Sequence, residues 1–201
     1  MNILLCGDSF VSDWSVKYKD QSGWCKWLAK DHNVVNLAQA GVGEYKIMKQ
    51  VLSADLDKFD AIIISHGSPN RVYSTVHPIH ENDPLHKDAD LIYADIKEHA
   101  ETNFDAETGV RYYERYFDFD HYRDISNLCC MEILNHLGPY PHLNQFHIEN
   151  FANQHKYDFL PSSYNINELL TKHYGTFCHM DQEGNQKLYK IITNWIESIK
   201  E

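Results

Sequence analysis

The chain predicts an α/β domain of three layers, with helices on both faces of a central parallel sheet. Two observations predict it. Residues 61–64 (Ala-Ile-Ile-Ile) are an unbroken apolar run, the pattern of a strand covered on both faces. Further short apolar runs alternate with stretches of helical period, and strands alternating with helices imply a parallel sheet.

Each element has its own signal. Residues 3–6 are a first strand that stops at Gly7. Ser22 can cap a helix carrying Trp24, Trp27 and Leu28 on one face. Residues 34–37 are a second strand, 41–43 a turn, and Ile47, Met48, Val51 and Leu52 mark a second helix. After the strand at 61–64 the pattern blurs. From 72 to about 127 His, Asp and Tyr crowd in, and Pro78 and Pro84 break any helix, although 89–100 has helical character. Cys130, Ile133, Leu134 and Leu137 restore a helical stripe, which Gly138-Pro139 ends. Residues 143–148 read as a fourth strand. Leu188, Ile191, Ile192, Trp195 and Ile199 share one face of a last helix that begins around Asp181. The expectation is one domain over 1–201, with the irregular 72–127 segment inserted above the sheet, where ligands bind in open α/β folds.

Composition narrows the function. The 201 residues are 43% hydrophobic with a formal charge of -11, so a core can form, and no basic stretch offers phosphate neutralisation. Neither a nucleic-acid partner nor a membrane is expected. The apolar start is too short for a signal peptide and is needed as a strand. Five cysteines without framework spacing read as reduced thiols in a cytoplasmic compartment. Export without a cleaved signal, such as on a virus particle, stays open.

Four short segments carry candidate chemistry. Gly7-Asp8-Ser9-Phe10 delivers a serine directly after the first strand; it is a nucleophile or a helix cap. In Asn36-Leu37-Ala38-Gln39-Ala40-Gly41 the glycine can bring backbone close to a ligand; an ordinary strand-to-helix turn has the same composition. His66-Gly67-Ser68-Pro69-Asn70-Arg71 follows the third strand and offers the Asn70 amide as a donor, or simple turn chemistry. His179 precedes the last helix and is a candidate base.

In their order these segments resemble the sequence blocks of the SGNH hydrolases, the GDSL esterases and lipases, with Phe10 in place of the usual Leu. The resemblance implies a flavodoxin-like α/β/α sandwich and hydrolysis of carboxylic esters, often acetyl esters, through an acyl-serine. It makes Ser9 the nucleophile and His179 the base, with the Ser9 N–H, the Gly41 N–H and the Asn70 side chain as the oxyanion hole. Asp8 and Arg71 are taken as substrate-binding, Arg71 as a partner for a substrate carboxylate. No cofactor or metal is implied, and the substrate is a small-molecule or glycan ester. The family's Asp, three residues before its His, is Thr176 here. A dyad, Asp181 or another acid are the alternatives, and no acid is assigned. The third block also departs, with Pro69 intruding and Arg71 where Asp is frequent.

Other signals are weaker. His77-Pro78-Ile79-His80 with Glu81, Asp83 and His86 suggests metal ligation but matches no zinc spacing, so a solvated loop is expected. Gly41-Val42-Gly43 lacks the third glycine of a dinucleotide fingerprint. The stretch 112–122 suits sugar stacking or, preferably, a half-buried helix whose phenols need partners. The rivals to an esterase are a catalytically weak or inactive carbohydrate-binding or structural module on the same fold, and an acyltransferase using the same serine.

Overall fold

The structure, a computed structural model, describes residues 1–18, 23–146, 163–173, 175 and 179–200. Among the described residues, five parallel strands form one sheet in the order β2-β1-β3-β4-β5: β1 Asn2–Gly7, β2 Asn33–Asn36, β3 Ala61–Ser65, β4 His142–Phe146 and β5 Ser163–Asn165. The helices are α1 Trp24–Asp31, α2 Glu44–Leu52, α3 Tyr93–Lys97, α4 Phe104–Tyr116, α5 Phe119–Leu137, α6 Asn167–Lys172 and α7 Gln182–Ser198.

Alternation along the strands divides the core in two, because successive side chains leave opposite faces. Ile3, Leu5, Ala61, Ile63 and Leu143 pack with Trp24 and Leu28 of α1 and Leu188, Ile192 and Ile196 of α7. Leu4, Cys6, Ile62 and Ile64 pack with Ile47 and Val51 of α2 and Ile133 and Leu137 of α5. Each fully buried aliphatic side chain contributes about 1.5–3 kcal/mol before the cost of ordering the chain. Both faces of β1 and β3 are thereby covered, as an α/β/α arrangement requires.

Several expectations shift. Ser22 lies outside the described residues; α1 starts from Gly23, and the first helical amide, Trp24 N–H, donates to Asn185 Oδ1 of α7 at 3.2 Å. The helix expected over 89–100 contracts to α3, because Leu91 pairs with Val72 in an antiparallel bridge that holds the preceding backbone extended. The insertion also contains α4, whose Asn103 side chain accepts the Asp105 and Ala106 amides. Ala106 and Val110, four apart, bury against Ile96. The strand expected at 143–148 is seen as β4 to Phe146, and 147–148 fall outside the described residues. No described helix is long and apolar enough to cross a membrane.

Candidate active site

Parallel strands put all their carboxyl ends on one edge. At β1 the sheet order reverses, with β2 on one side and β3 on the other, which opens a crevice beyond those ends. Gly7 ends β1 opposite Ser65 of β3. Its φ is +144°, and a Cβ there would lie 2.6 Å from the Ser65 carbonyl oxygen, so only glycine fits. Gln50 of α2 clamps this residue from below: Gly7 N–H donates to Gln50 Oε1 at 2.7 Å, and Gln50 Nε2 donates to Gly7 O at 3.2 Å.

The turn that follows carries Ser9. Its carbonyl accepts the Trp14 indole N–H at 2.7 Å, and Trp24 Nε1 donates to Phe10 O at 3.0 Å. Ser9 itself is 8% exposed. Asp8 is the acid of this turn. It is 1% exposed, and its Oδ1 accepts Ser65 Oγ at 3.0 Å and Phe10 N–H at 3.1 Å. That carboxylate ties the serine turn to β3.

Gly41 adopts φ +79°, and a Cβ would lie 2.6 Å from that of Ala89. Its carbonyl accepts Asp90 N–H and Arg71 Nη1, each at 2.9 Å, which fixes the orientation of the loop. Arg71 thereby braces the glycine loop. Asp90 Oδ2 also accepts Gly43 N–H at 2.7 Å and Asp90 Oδ1 pairs with Lys46 at 2.8 Å. The third segment packs directly on this loop: a Cβ on Gly67 would lie 3.1 Å from Val42 O. Asn70 is exposed, and its carbonyl lies 2.9 Å from the Tyr113 hydroxyl.

The last segment arrives from the other end of the chain. Gly175 N–H donates to His179 O at 2.6 Å and Asp181 N–H to His173 O at 2.8 Å. The His179 ring lies 4.7 Å from that of Phe10 and 4.4 Å from that of Trp14, centroid to centroid. The imidazole is thus packed on the residue after Ser9 and on the indole that holds the Ser9 carbonyl. Asp181 is the N-cap of α7, its Oδ1 accepting Gly184 N–H at 2.8 Å. Thr176 lies outside the described residues.

Sequence reasoning missed the support beneath. His66 is buried, with Nδ1 2.7 Å from Glu44 Oε1 and Nε2 2.9 Å from Asn144 Oδ1, while Glu44 Oε2 accepts Gly67 N–H at 2.9 Å. Two oxygen acceptors ask both ring nitrogens to donate, which suits an imidazolium. Burial pulls the His66 pKa down, but Cys130 and Glu44 beside it outweigh this and hold it well above the ordinary value. Glu44 reads in sequence as a helix-start acid, and nothing local marks it as buried.

The expected solvated loop at 77–86 is also corrected. His77 is 1% exposed and stacks on His80 at 4.5 Å. His80 Nε2 lies 2.9 Å from Asp95 Oδ2 of α3. The His86 ring lies 5.3 Å from that of His80 and 6.0 Å from that of Trp14, which places this cluster beside the site. Burial, with His80 adding to it, pushes the His77 pKa down to about 4. The half-buried helix expected over 112–122 is corrected: α4 ends at Tyr116, α5 begins at Phe119, and Tyr112 and Tyr116 are exposed, while the Tyr113 hydroxyl lies 2.6 Å from Leu91 O and the hydroxyls of Tyr112 and Tyr122 are 2.7 Å apart.

No protein-family model and no curated protein matches the chain. Burial pushes the Cys6 and Cys25 thiols up to about 12, so neither is poised as a nucleophile.

Proposed function

We propose that the chain is a serine esterase of SGNH type on a flavodoxin-like sheet, hydrolysing acetyl or other short acyl esters, glycan esters among them. One observation carries the reading: all four chemistry-bearing segments meet at the sheet's reversal point. Asp8 bonds Ser65, Gly67 lies against the Val42 and Gly43 backbone, Arg71 holds Gly41, and the His179 ring lies on Phe10 and Trp14.

In the mechanism Ser9 Oγ attacks the ester carbonyl as His179 takes its proton. The tetrahedral oxyanion is held by the Ser9 and Gly41 amides and the Asn70 side chain. His179 then protonates the departing alkoxide, which leaves an acyl-serine. Water, deprotonated by the same ring, releases the acid and restores Ser9. Trp14 and Phe10 limit the swing of the imidazole. Asp8 and Gln50 are positioning residues.

The test is direct. A fluorophosphonate probe labels Ser9, and Ser9→Ala lowers p-nitrophenyl acetate turnover by at least about 10³-fold. Turnover of the alanine variant at the wild-type rate defeats the reading. A silent carbohydrate-binding module is the second reading, favoured by the 8% exposure of Ser9; glycan binding without acyl release from any ester would support it.

A further inference from the structure

We infer that His77, His80 and Asp95 form a binding site for a divalent transition metal of the zinc class, which fastens the insertion beside Gly41. The three offer one ligand atom each, all within 4.8 Å of one another. Asp95 Oδ2 lies 2.9 Å from His80 Nε2 and 3.5 Å from His77 Nε2. A tetrahedral zinc with bonds of 2.0–2.1 Å separates its ligand atoms by about 3.3 Å, so these two edges need shifts of only a few tenths of an ångström.

A second observation points the same way. His77 is 1% exposed, and its Nε2 is a buried nitrogen without a hydrogen-bond partner, turned toward the same carboxylate that His80 uses. Buried polar atoms are normally satisfied, and a cation between the two rings and the carboxylate would satisfy this one. Two imidazoles and a carboxylate suit zinc and its neighbours, whereas calcium and magnesium prefer oxygen alone. The side chains of His80 and Asp95 keep 24% and 31% of their exposure, which leaves water a route to a fourth position.

Protons balance without an outside reagent. Ile79 N–H donates to His77 Nδ1 at 3.3 Å, which places the neutral ring's proton on Nε2. Metal binding at Nε2 moves that proton to Nδ1 and gives up the long contact with Ile79. The proton of the His80 Nε2–Asp95 hydrogen bond passes to His80 Nδ1, or to solvent where that nitrogen is already protonated, and Nε2 and the carboxylate then bind the metal.

The location gives the site its purpose. The insertion has a small core of its own, Ile96, Ala106 and Val110, and small cores commonly rely on a metal or other cross-link. The metal would join the loop at 77–80 to α3, on the segment whose Ala89 and Asp90 contact Gly41. The inference does not depend on the esterase reading.

The test uses the full chain without an affinity tag, stripped with EDTA and titrated with Zn²⁺ by calorimetry, with Co²⁺ absorption as a second readout. One Zn²⁺ per chain is expected, with a tetrahedral Co²⁺ spectrum and a raised melting temperature. His80→Ala and Asp95→Asn, each checked for folding by circular dichroism, should weaken binding by more than about tenfold, since even outer-sphere partners of a metal ligand are worth that much. No binding by the wild type, or equal binding by the folded variants, overturns the site. Ester hydrolysis is not read, so its absence leaves this result intact.

Discussion

Two buried histidines, His66 and His77, are solved differently. His66 has an acceptor at each ring nitrogen, Glu44 and Asn144, and its glutamate also holds Gly67. His77 has one long contact at Nδ1 and a buried, unsatisfied Nε2 near Asp95. In the first arrangement both ring nitrogens are matched within the protein, and it behaves as a brace. The second has room in its bonding for something more. Burial alone does not tell a structural histidine from a receptive one; the accounting of its two nitrogens does.

The comparison can be broken by mutation. Glu44→Ala strands the His66 charge in the core, and a loss of about 3–5 kcal/mol is expected in urea unfolding. A loss under 1 kcal/mol would show that the brace carries no charge. Next comes pH. The folded state holds on His66 a proton that the unfolded chain releases above about 6.5, so stability is full below that pH and declines as pH rises toward the raised folded value. The slope is at most about 1.4 kcal/mol per pH unit, and unfolding of His66→Gln across the same range should be flatter. Asn144→Ala removes one acceptor from the imidazolium and should cost about 1–3 kcal/mol. The smallest effect sharpens the contrast from the other side. His77→Leu, in metal-stripped protein, should change stability by less than about 1 kcal/mol, because it deletes an unsatisfied nitrogen along with its weak contact. A cost equal to that of Glu44→Ala would erase the distinction between the two rings.

Much of the sheet was legible because its signals are local. The 61–64 run, the stripe through Leu188 and Ile192, and the stop at Gly138 each announce an element without knowledge of the rest. Ser9 and His179 were singled out by order along the chain, and the His179 ring packs on Phe10 and Trp14. What escaped was long-range. The contacts of Asp8 with Ser65 Oγ and of Arg71 with Gly41 O join segments far apart in the chain. The 77–86 segment looked solvated because Asp95, which organises it, sits on another element. Strand β5 has only Ser163–Asn165, too short for any period to register.

Gly7 has a consequence for how such chains are judged. A methyl group at this point would collide with the neighbouring strand's backbone, so the residue answers to architecture whatever becomes of the hydroxyl two places on. A descendant that had abandoned catalysis could exchange Ser9 freely and would still be obliged to keep its glycine. The two letters of one short signature therefore testify to different things: the glycine vouches for the scaffold, and the serine alone bears on the proposed reaction.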